Sequence, residues 1–403
     1  MPTTPPEKIV LGLGGTVDYE IKIDASIINR LIDEFVIKES EISNAVPILT
    51  ERDLVLNLLS FMSLGSGGER FVSESRIIES FAHRFKIKVT LGGTCVRAAM
   101  AMDTFGISST LHLVSISDEV RRLLPKSTKY ICSSDVDTFD PHLIVQFAEG
   151  MKIEAQGISF ITPSPNRIIF TNDPPNRDLV ISNQLGDMLE SADVFMISGF
   201  NCIQDPEVLD QRINDIQRHL KRLPKDSIVF FEDAGYHIPS LSKTVRERMI
   251  NDFDVYSMNE EEMQSYLGRS LDLLDVPQML DAFNQLLLLI PAKVMVIHTK
   301  FWAIALGQES SKYGAALQGG ITMASTRYCF GDGFIEQNYL EVARMTHNPD
   351  GENFAHAMNS YFKERALCIP AFQLNVEKPT TIGLGDSFVG GFIAALNLTE
   401  SLN

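Results

Sequence analysis

No two cysteines in this chain form a C-x-x-C pair: Cys95, Cys132, Cys202, Cys329 and Cys368, the five among 403 residues, stand far apart. That spacing excludes a disulfide framework and a zinc site, and it predicts reduced, mostly buried thiols. Basic runs are missing as well. With 35 Lys and Arg against 52 Asp and Glu, the formal net charge is -17, which opposes nonspecific attraction to nucleic acid or to anionic membrane surfaces. Residues 1–7 lack a basic start followed by a long apolar stretch, and the most apolar later region is broken at Pro291 and Lys293. The expectation is a soluble, cytoplasmic protein with neither nucleic-acid nor membrane partners. Internal repeats and low-complexity tracts are also missing.

What is present is ordinary globular composition, 44% hydrophobic and 22% charged, in a chain too long for one hydrophobic core. Short runs rich in β-branched and aromatic residues occur at 9–13, 194–197, 228–231, 255–258 and 294–297, apolar almost throughout. Such strands are buried on both faces. Between them lie helical stretches, the clearest after Asp205-Pro206, where Leu209, Ile213, Ile216, Leu220 and Leu223 alternate spacings of four and three. Strand alternating with helix predicts an α/β fold with a doubly wound, mostly parallel sheet and helices on both faces. A second pattern, strict alternation at 19–24 and 85–90, reads as half-exposed strands. With candidates at 143–147 and 167–171 they predict a smaller, discontinuous, β-rich lid domain, to which 27–80 adds helices. The predicted division places 1–18, 91–141 and 186–403 in the larger, doubly wound domain, and 19–90 and 142–185 in the lid.

In open parallel sheets ligands bind beyond the carboxyl ends of the strands. There the sequence places Ser198-Gly199-Phe200-Asn201, Glu232-Asp233, Asn259-Glu260-Glu261-Glu262 and His298-Thr299-Lys300. Glu232 and Glu262 can place carboxylates near a magnesium ion, which takes oxygen ligands and retains waters. Asn259 to Glu262 equally reads as an N-cap with glutamates in the first turn, and His298 as a structural histidine or a ligand contact. After the first strand, Gly14-Gly15-Thr16-Val17 leads through a flexible turn to Asp18, a carboxylate that can grip sugar hydroxyls. Gly92 and Gly93 open a helical stretch at 96–105, either letting a substrate approach the backbone or making a tight turn. Gly65 to Arg70 is either a mobile loop or one with a ligand-facing Glu69. Near the C-terminus, Gly383-Leu384-Gly385-Asp386 is a glycine turn opening a helix that runs to about Leu396. Gly383 and Gly385 can take backbone angles closed to other residues, so that N–H groups and the helix dipole converge on an anion. Asp386 can accept the proton of an attacking hydroxyl beside that pocket. The competing reading is a plain turn with an Asp N-cap.

Taken in order, Gly14 to Asp18, Gly65 to Glu69, Gly92-Gly93, Asn259-Glu260-Glu261-Glu262, His298-Thr299 and Gly383-Leu384-Gly385-Asp386 resemble the ADP-dependent sugar kinases, a branch of the ribokinase-like superfamily. The match spans roughly residues 9–396. It implies a magnesium-dependent kinase that transfers the terminal phosphoryl group of ADP to a hydroxyl of a hexose or hexose phosphate, as in glycolysis. By that resemblance Asp386 is the general base, and Gly383, Leu384 and Gly385 form the anion hole on the nucleotide. Asn259 and Glu262 match the N-x-x-E motif whose glutamate organises magnesium, and Glu232 matches the glutamate of an H-x-E motif. The chain departs from that motif, since Phe230 stands at the histidine position and removes a polar neighbour. Asp18, Glu69, Gly92 and Gly93 match sugar-contacting positions. Glu69 favours an unphosphorylated hexose because a carboxylate repels a sugar phosphate, whereas Arg97, one turn beyond Gly93, supplies the opposite charge. His298 and Thr299 match the segment that begins one side of the adenine pocket, within 298–307. Two alternatives stand beside this reading: an ATP-dependent ribokinase-like carbohydrate or nucleoside kinase, and a non-catalytic regulator that binds sugar or nucleotide.

Overall fold

Apolar runs can enter a core only if their backbone N–H and C=O groups pair with one another. In the computed structural model, which describes residues 8–377, 379–380 and 382–400 with side chains through Leu396, they pair into sixteen strands. These are β1 (Ile9–Leu11), β2 (Thr16–Lys22), β3 (Gly68–Phe71), β4 (Lys88–Gly92), β5 (Thr110–Leu113), β6 (Lys129–Cys132), β7 (His142–Phe147) and β8 (Lys152–Ala155). The second half supplies β9 (Ile158–Ile161), β10 (Asn166–Thr171), β11 (Val194–Ile197), β12 (Ile228–Glu232), β13 (Val255–Asn259), β14 (Val294–His298), β15 (Trp302–Gly307) and β16 (Ala366–Pro370). Residues 1–7, read above for their lack of a leader, and Thr381, just before the glycine turn, lie outside the described residues.

Nine strands form one sheet in the order β16-β15-β14-β13-β12-β11-β1-β5-β6. From β14 to β6 all neighbours run parallel, while β15 and β16 add antiparallel pairs at one edge. The order reverses at β1, so the sheet is doubly wound, and a crevice opens beyond the strand ends at such a reversal. Because side chains alternate across a strand, Phe231, Tyr256 and Ile297 pack into one helical layer, and Phe230, Val255 and Val296 into the other. The first layer includes the helix Pro206–Leu220, capped by Asp205, whose carboxylate accepts from the Glu207 N–H at 2.7 Å. Leu209, Ile213 and Ile216 are its buried stripe, and Leu223 lies beyond its end. The second layer includes the helix Leu384–Glu400, which brings Phe388 and Phe392 onto the sheet.

The smaller sheet has the order β3-β10-β7-β2-β4. Helices Ala25–Glu34, Glu51–Leu64 and Ser75–Ala82, together with the β8–β9 hairpin, cover one face through Ile28, Leu58, Phe81, Ile153 and Phe170. On the opposite face the period of two sets Asp18 and Glu20 of β2, His142 of β7, Arg167 of β10 and Glu69 of β3 toward the larger sheet. Asp18 therefore belongs to β2, where it pairs in register with Thr90 and His142, and is not in a flexible turn after β1. The first strand stops at Leu11, short of 13, because Gly12 and Leu13 hydrogen-bond to Met196 and Ser198 as an irregular crossing. The strand expected at 85–90 lies at Lys88–Gly92.

Candidate active site

The strands β12, β13 and β14 end side by side, and on the face covered by the helix Leu384–Glu400 they deliver Glu232, Asn259 and His298. His298 is buried and stacks on Phe388 of that helix, with ring centroids 4.4 Å apart. Its Nε2 stands 3.0 Å from Glu232 Oε1. Burial works against the charged imidazole, but Glu232, and behind it Glu260 and Glu262, hold its pKa above the usual histidine value. Glu232 Oε2 and the hydroxyl of Ser257, the residue opposite Glu232 on β13, are buried without a hydrogen-bond partner. An orphaned carboxylate oxygen in such a place costs free energy unless a cation or donor reaches it. Thr299, by contrast, spends its hydroxyl on the turn between β14 and β15, donating to the Trp302 carbonyl at 2.9 Å and accepting from the Phe301 and Trp302 N–H groups. The stretch 302–307 is the buried return strand β15.

Asn259 caps the helix Glu260–Leu267: its side-chain oxygen accepts from the N–H of Glu261 at 2.6 Å and of Glu262 at 3.1 Å. Glu262 returns the contact, with Oε2 accepting from the Asn259 N–H at 2.8 Å. The capping reading is thus realised, and it also fixes the Glu262 carboxyl near Glu232. Burial pushes that carboxyl up to about 8, with the charges of Glu232 and Asp233 adding to the effect. Two crowded carboxyls, one with a free oxygen and one reluctant to ionise, suit a hydrated divalent cation that takes oxygen ligands. Among the described residues no three His, Cys, Asp or Glu side chains converge to hold a metal ion by themselves. Phe230, two residues before Glu232 on the same face of β12, turns its ring into the apolar layer. It is wholly buried against Phe392, ring centroids 5.2 Å apart.

Gly383 has φ +69°, a left-handed conformation that glycine adopts without strain, and it starts the turn into the helix. Gly385 is helical instead, so the expectation of an unusual backbone angle at both glycines holds for Gly383 only. Gly385 lies beside His298, whose Cε1 would be 3.3 Å from an added Cβ. Among the described residues, the first ladder bond at this helix start runs from the Ser387 N–H to the Gly383 carbonyl at 3.1 Å. The N–H groups of Leu384, Gly385 and Asp386 thus precede the ladder at the positive dipole end, an arrangement that binds anions. Arg327 secures the turn from behind, donating from Nε to the Ile382 carbonyl at 2.8 Å. The Asp386 side chain remains 23% exposed at this helix start, with Oδ2 3.7 Å from Arg97 Nε. Arg97 itself is 5% exposed and donates from Nη2 to Asp18 Oδ2 at 2.9 Å.

Gly92 closes β4 opposite Thr16, and Gly93, with φ +88°, caps the helix Thr94–Asp103 that carries Arg97. A side chain at Gly93 would meet the Gly15 Cα at 3.0 Å, so the two crossings between the sheets touch there. A cavity of about 1060 Å³ is lined by Glu69, Arg70 and Arg167 of the small sheet, and by His237 of the loop after β12 and Glu261 of the helix Glu260–Leu267. A neighbouring cavity of about 530 Å³ is lined by Glu69, His142, Asp173, Asn176 and His237. Asp386 lines neither cavity, but Asp18, one guanidinium away from it, is the register partner of His142. His142 Nε2 lies 3.0 Å from Asp173 Oδ2, which also accepts from Asn176 Nδ2 at 2.7 Å. His142, Arg167, Asp173 and His237 were not singled out from the sequence. The signal existed for Asp173, which precedes Pro174-Pro175 as a helix cap, whereas the others sit in strands or loops whose facing is set only by tertiary pairing.

Comparison with known proteins adds to this geometry. The conserved region described as ADP-specific Phosphofructokinase/Glucokinase is matched by residues 7–393. Among solved structures, the chain is similar to a hypothetical ADP-dependent phosphofructokinase from Pyrococcus horikoshii OT3, with a TM-score of 0.80 and 17% identity over 99% of this chain and 99% of that one. It is similar to a phosphofructokinase from the same organism with AMP, with a TM-score of 0.79 and 16% identity over 99% of both chains. An ADP-dependent kinase in complex with fructose-6-phosphate and ADPbetaS gives a TM-score of 0.71 and 13% identity over 97% of this chain and 94% of that one. At such identities these likenesses establish the fold. No curated protein sequence matches.

Proposed function

The chain belongs to the ADP-specific phosphofructokinase/glucokinase family, and from that premise we propose that it carries the terminal phosphoryl group of ADP to a hydroxyl of a hexose or hexose phosphate in the cleft between its two sheets. The family makes it a phosphotransferase acting on sugar hydroxyls. The observation that carries the finer reading is the partly exposed Asp386 carboxyl at the start of the helix Leu384–Glu400, turned toward the small sheet. In this reading Asp386 accepts the proton of the attacking hydroxyl, and the N–H groups ahead of the ladder stabilise charge on the phosphoryl oxygens. Asp18, Glu69 and the backbone at Gly92 and Gly93 hold the sugar on the lid side, and His142 with Asp173 offers a further polar grip. Glu69 suits hydroxyl groups, while Arg70 and Arg167 in the same cavity suit phosphate. Glu232 and Glu262 would hold a hydrated Mg2+, which when bound would neutralise charge between the phosphates. Closing the cleft excludes the water that competes with the sugar as acceptor.

Asp386→Asn keeps the shape and removes the proton acceptor. Assayed with ADP and with ATP separately, free of adenylate kinase, against hexoses, hexose phosphates and nucleosides, the wild type is expected to use ADP with a sugar. The variant should lose about 10²- to 10⁴-fold in turnover with ADP binding little changed. Near-normal turnover in the variant defeats the base assignment, strict ATP dependence replaces the donor, and saturable binding without transfer leaves a regulator.

A further inference from the structure

We infer that Arg97 is a positioning residue, which ties Asp18 of the small sheet and Asp386 of the large domain to one guanidinium and so fixes where the Asp386 carboxyl meets an incoming hydroxyl. This rests on the proposed function above, and it gives Arg97 a role other than binding a substrate anion. The geometry is specific. Nη2 meets Asp18 Oδ2 at 2.9 Å, and Nε faces Asp386 Oδ2 at 3.7 Å. Nη1 lies under the glycine turn, only 2.8 Å from where a Cβ on Gly383 would stand. The Thr16 hydroxyl donates to the other Asp18 oxygen at 2.7 Å, which leaves Asp18 little freedom to rotate.

Exposure separates the roles. Asp386 is 23% exposed, but Arg97 and Asp18 are 5% and 6% exposed. A phosphate could reach the guanidinium only by displacing an aspartate already seated on it, whereas a hydroxyl can approach Asp386 directly. Burial opposes the charge on Arg97, yet Asp18 and Asp386, with Glu20 behind them, keep its pKa above the usual arginine value. The planar fork of arginine can face two carboxylates at once, which the point charge of lysine cannot do in fixed directions. Lysine at this position therefore preserves the charge and removes the alignment.

The test compares wild type with Arg97→Lys and Arg97→Met. Arg97→Lys is expected to lower kcat about tenfold or more, and Arg97→Met about a hundredfold, the usual consequence of misplacing a reacting group by about an ångström, with the KM for ADP nearly unchanged in both. A second arm needs no activity: urea midpoints are measured for Arg97→Met, Asp386→Asn and the double variant, with Arg97→Lys replacing Arg97→Met should the latter not fold. The two shifts are expected not to add, as for residues in contact. A kcat for Arg97→Lys within about twofold of wild type, a rise in sugar KM alone for Arg97→Met, or midpoint shifts that sum would each overturn the inference. Wild type that transfers no phosphoryl group from ADP to any sugar overturns the functional reading instead, and the midpoint arm still decides whether Arg97 and Asp386 interact.

Discussion

Two buried histidines put the same side chain to opposite uses. His298 faces carboxylates and is held toward its charged form, whereas His112, in β5 next to the edge strand β6, is held neutral. Burial pushes the His112 pKa down to about 4, and its Nε2 accepts from the Ser182 N–H at 2.9 Å, so the neutral ring must carry its proton on Nδ1. Protonating Nε2 would set two donors against each other. The unfolded chain binds that proton near pH 6.5 and the folded chain does not, so stability falls as pH drops from 6.5 toward 4. Between pH 7 and pH 5 this linkage amounts to about 2 kcal/mol. Urea unfolding at both pH values should show His112→Asn losing less stability on acidification than wild type by about that amount; equal losses would remove His112 as the cause. At this same scale the sequence showed which carboxylates stand beyond the strand ends, but not which oxygen is occupied. The capping bond that engages Glu262 was readable from Asn259 three positions earlier, while the pairing of Glu232 with His298 joins strands that are 66 residues apart.

Among the elements, those with both faces buried were legible because continuous apolar runs have no other stable placement. β11 to β14 fall where such runs occur. The antiparallel strands β15 and β16 were not anticipated. β15 follows β14 through the short Thr299 turn, and β16 depends on pairing with it across an intervening helical stretch. β5 was equally hidden, being four residues with a histidine and a threonine buried by its neighbours. Element geometry also answers the question raised by Phe230. Its ring fills the layer between β12 and the helix Leu384–Glu400, with Phe392 as neighbour. A histidine put there would lose apolar packing and bury polar nitrogens. Phe230→His is expected to destabilise the protein by about 2–4 kcal/mol without improving turnover at low magnesium. Denaturant titration and a magnesium titration of the rate check both parts; a variant of normal stability that needs less magnesium would show that position 230 does face the metal.

The molecule as a whole is two sheets stitched by passages of chain at β1–β2, at Gly92-Gly93, between β6 and β7, and after β10. Asn176, in the passage after β10, ties it to the β1–β2 passage, donating to the Gly15 carbonyl at 3.0 Å, and within its own passage donates to Asp173 at 2.7 Å. An outer ladder of ion pairs spans the same seam: Lys88 meets Glu20 at 3.4 Å and Asp332 at 2.5 Å, and Arg327 meets Asp332 at 2.5 Å. The cavities lie along this seam, so ligands that bridge them should draw the sheets together. Small-angle scattering with ADP and a hexose present together is expected to give a smaller radius of gyration than the free protein. An unchanged radius would mean that the free protein is already closed.

Because the small sheet is woven from chain segments that leave and re-enter the larger one, it has no separate stretch of gene. Recombination at a single breakpoint cannot trade it for a relative's, and an engineer wishing to graft a new acceptor preference must move several non-adjacent segments together. Changes of sugar within this architecture should therefore accumulate by point substitution along β2, β3, β7 and β10, with the helix Leu384–Glu400 inherited intact.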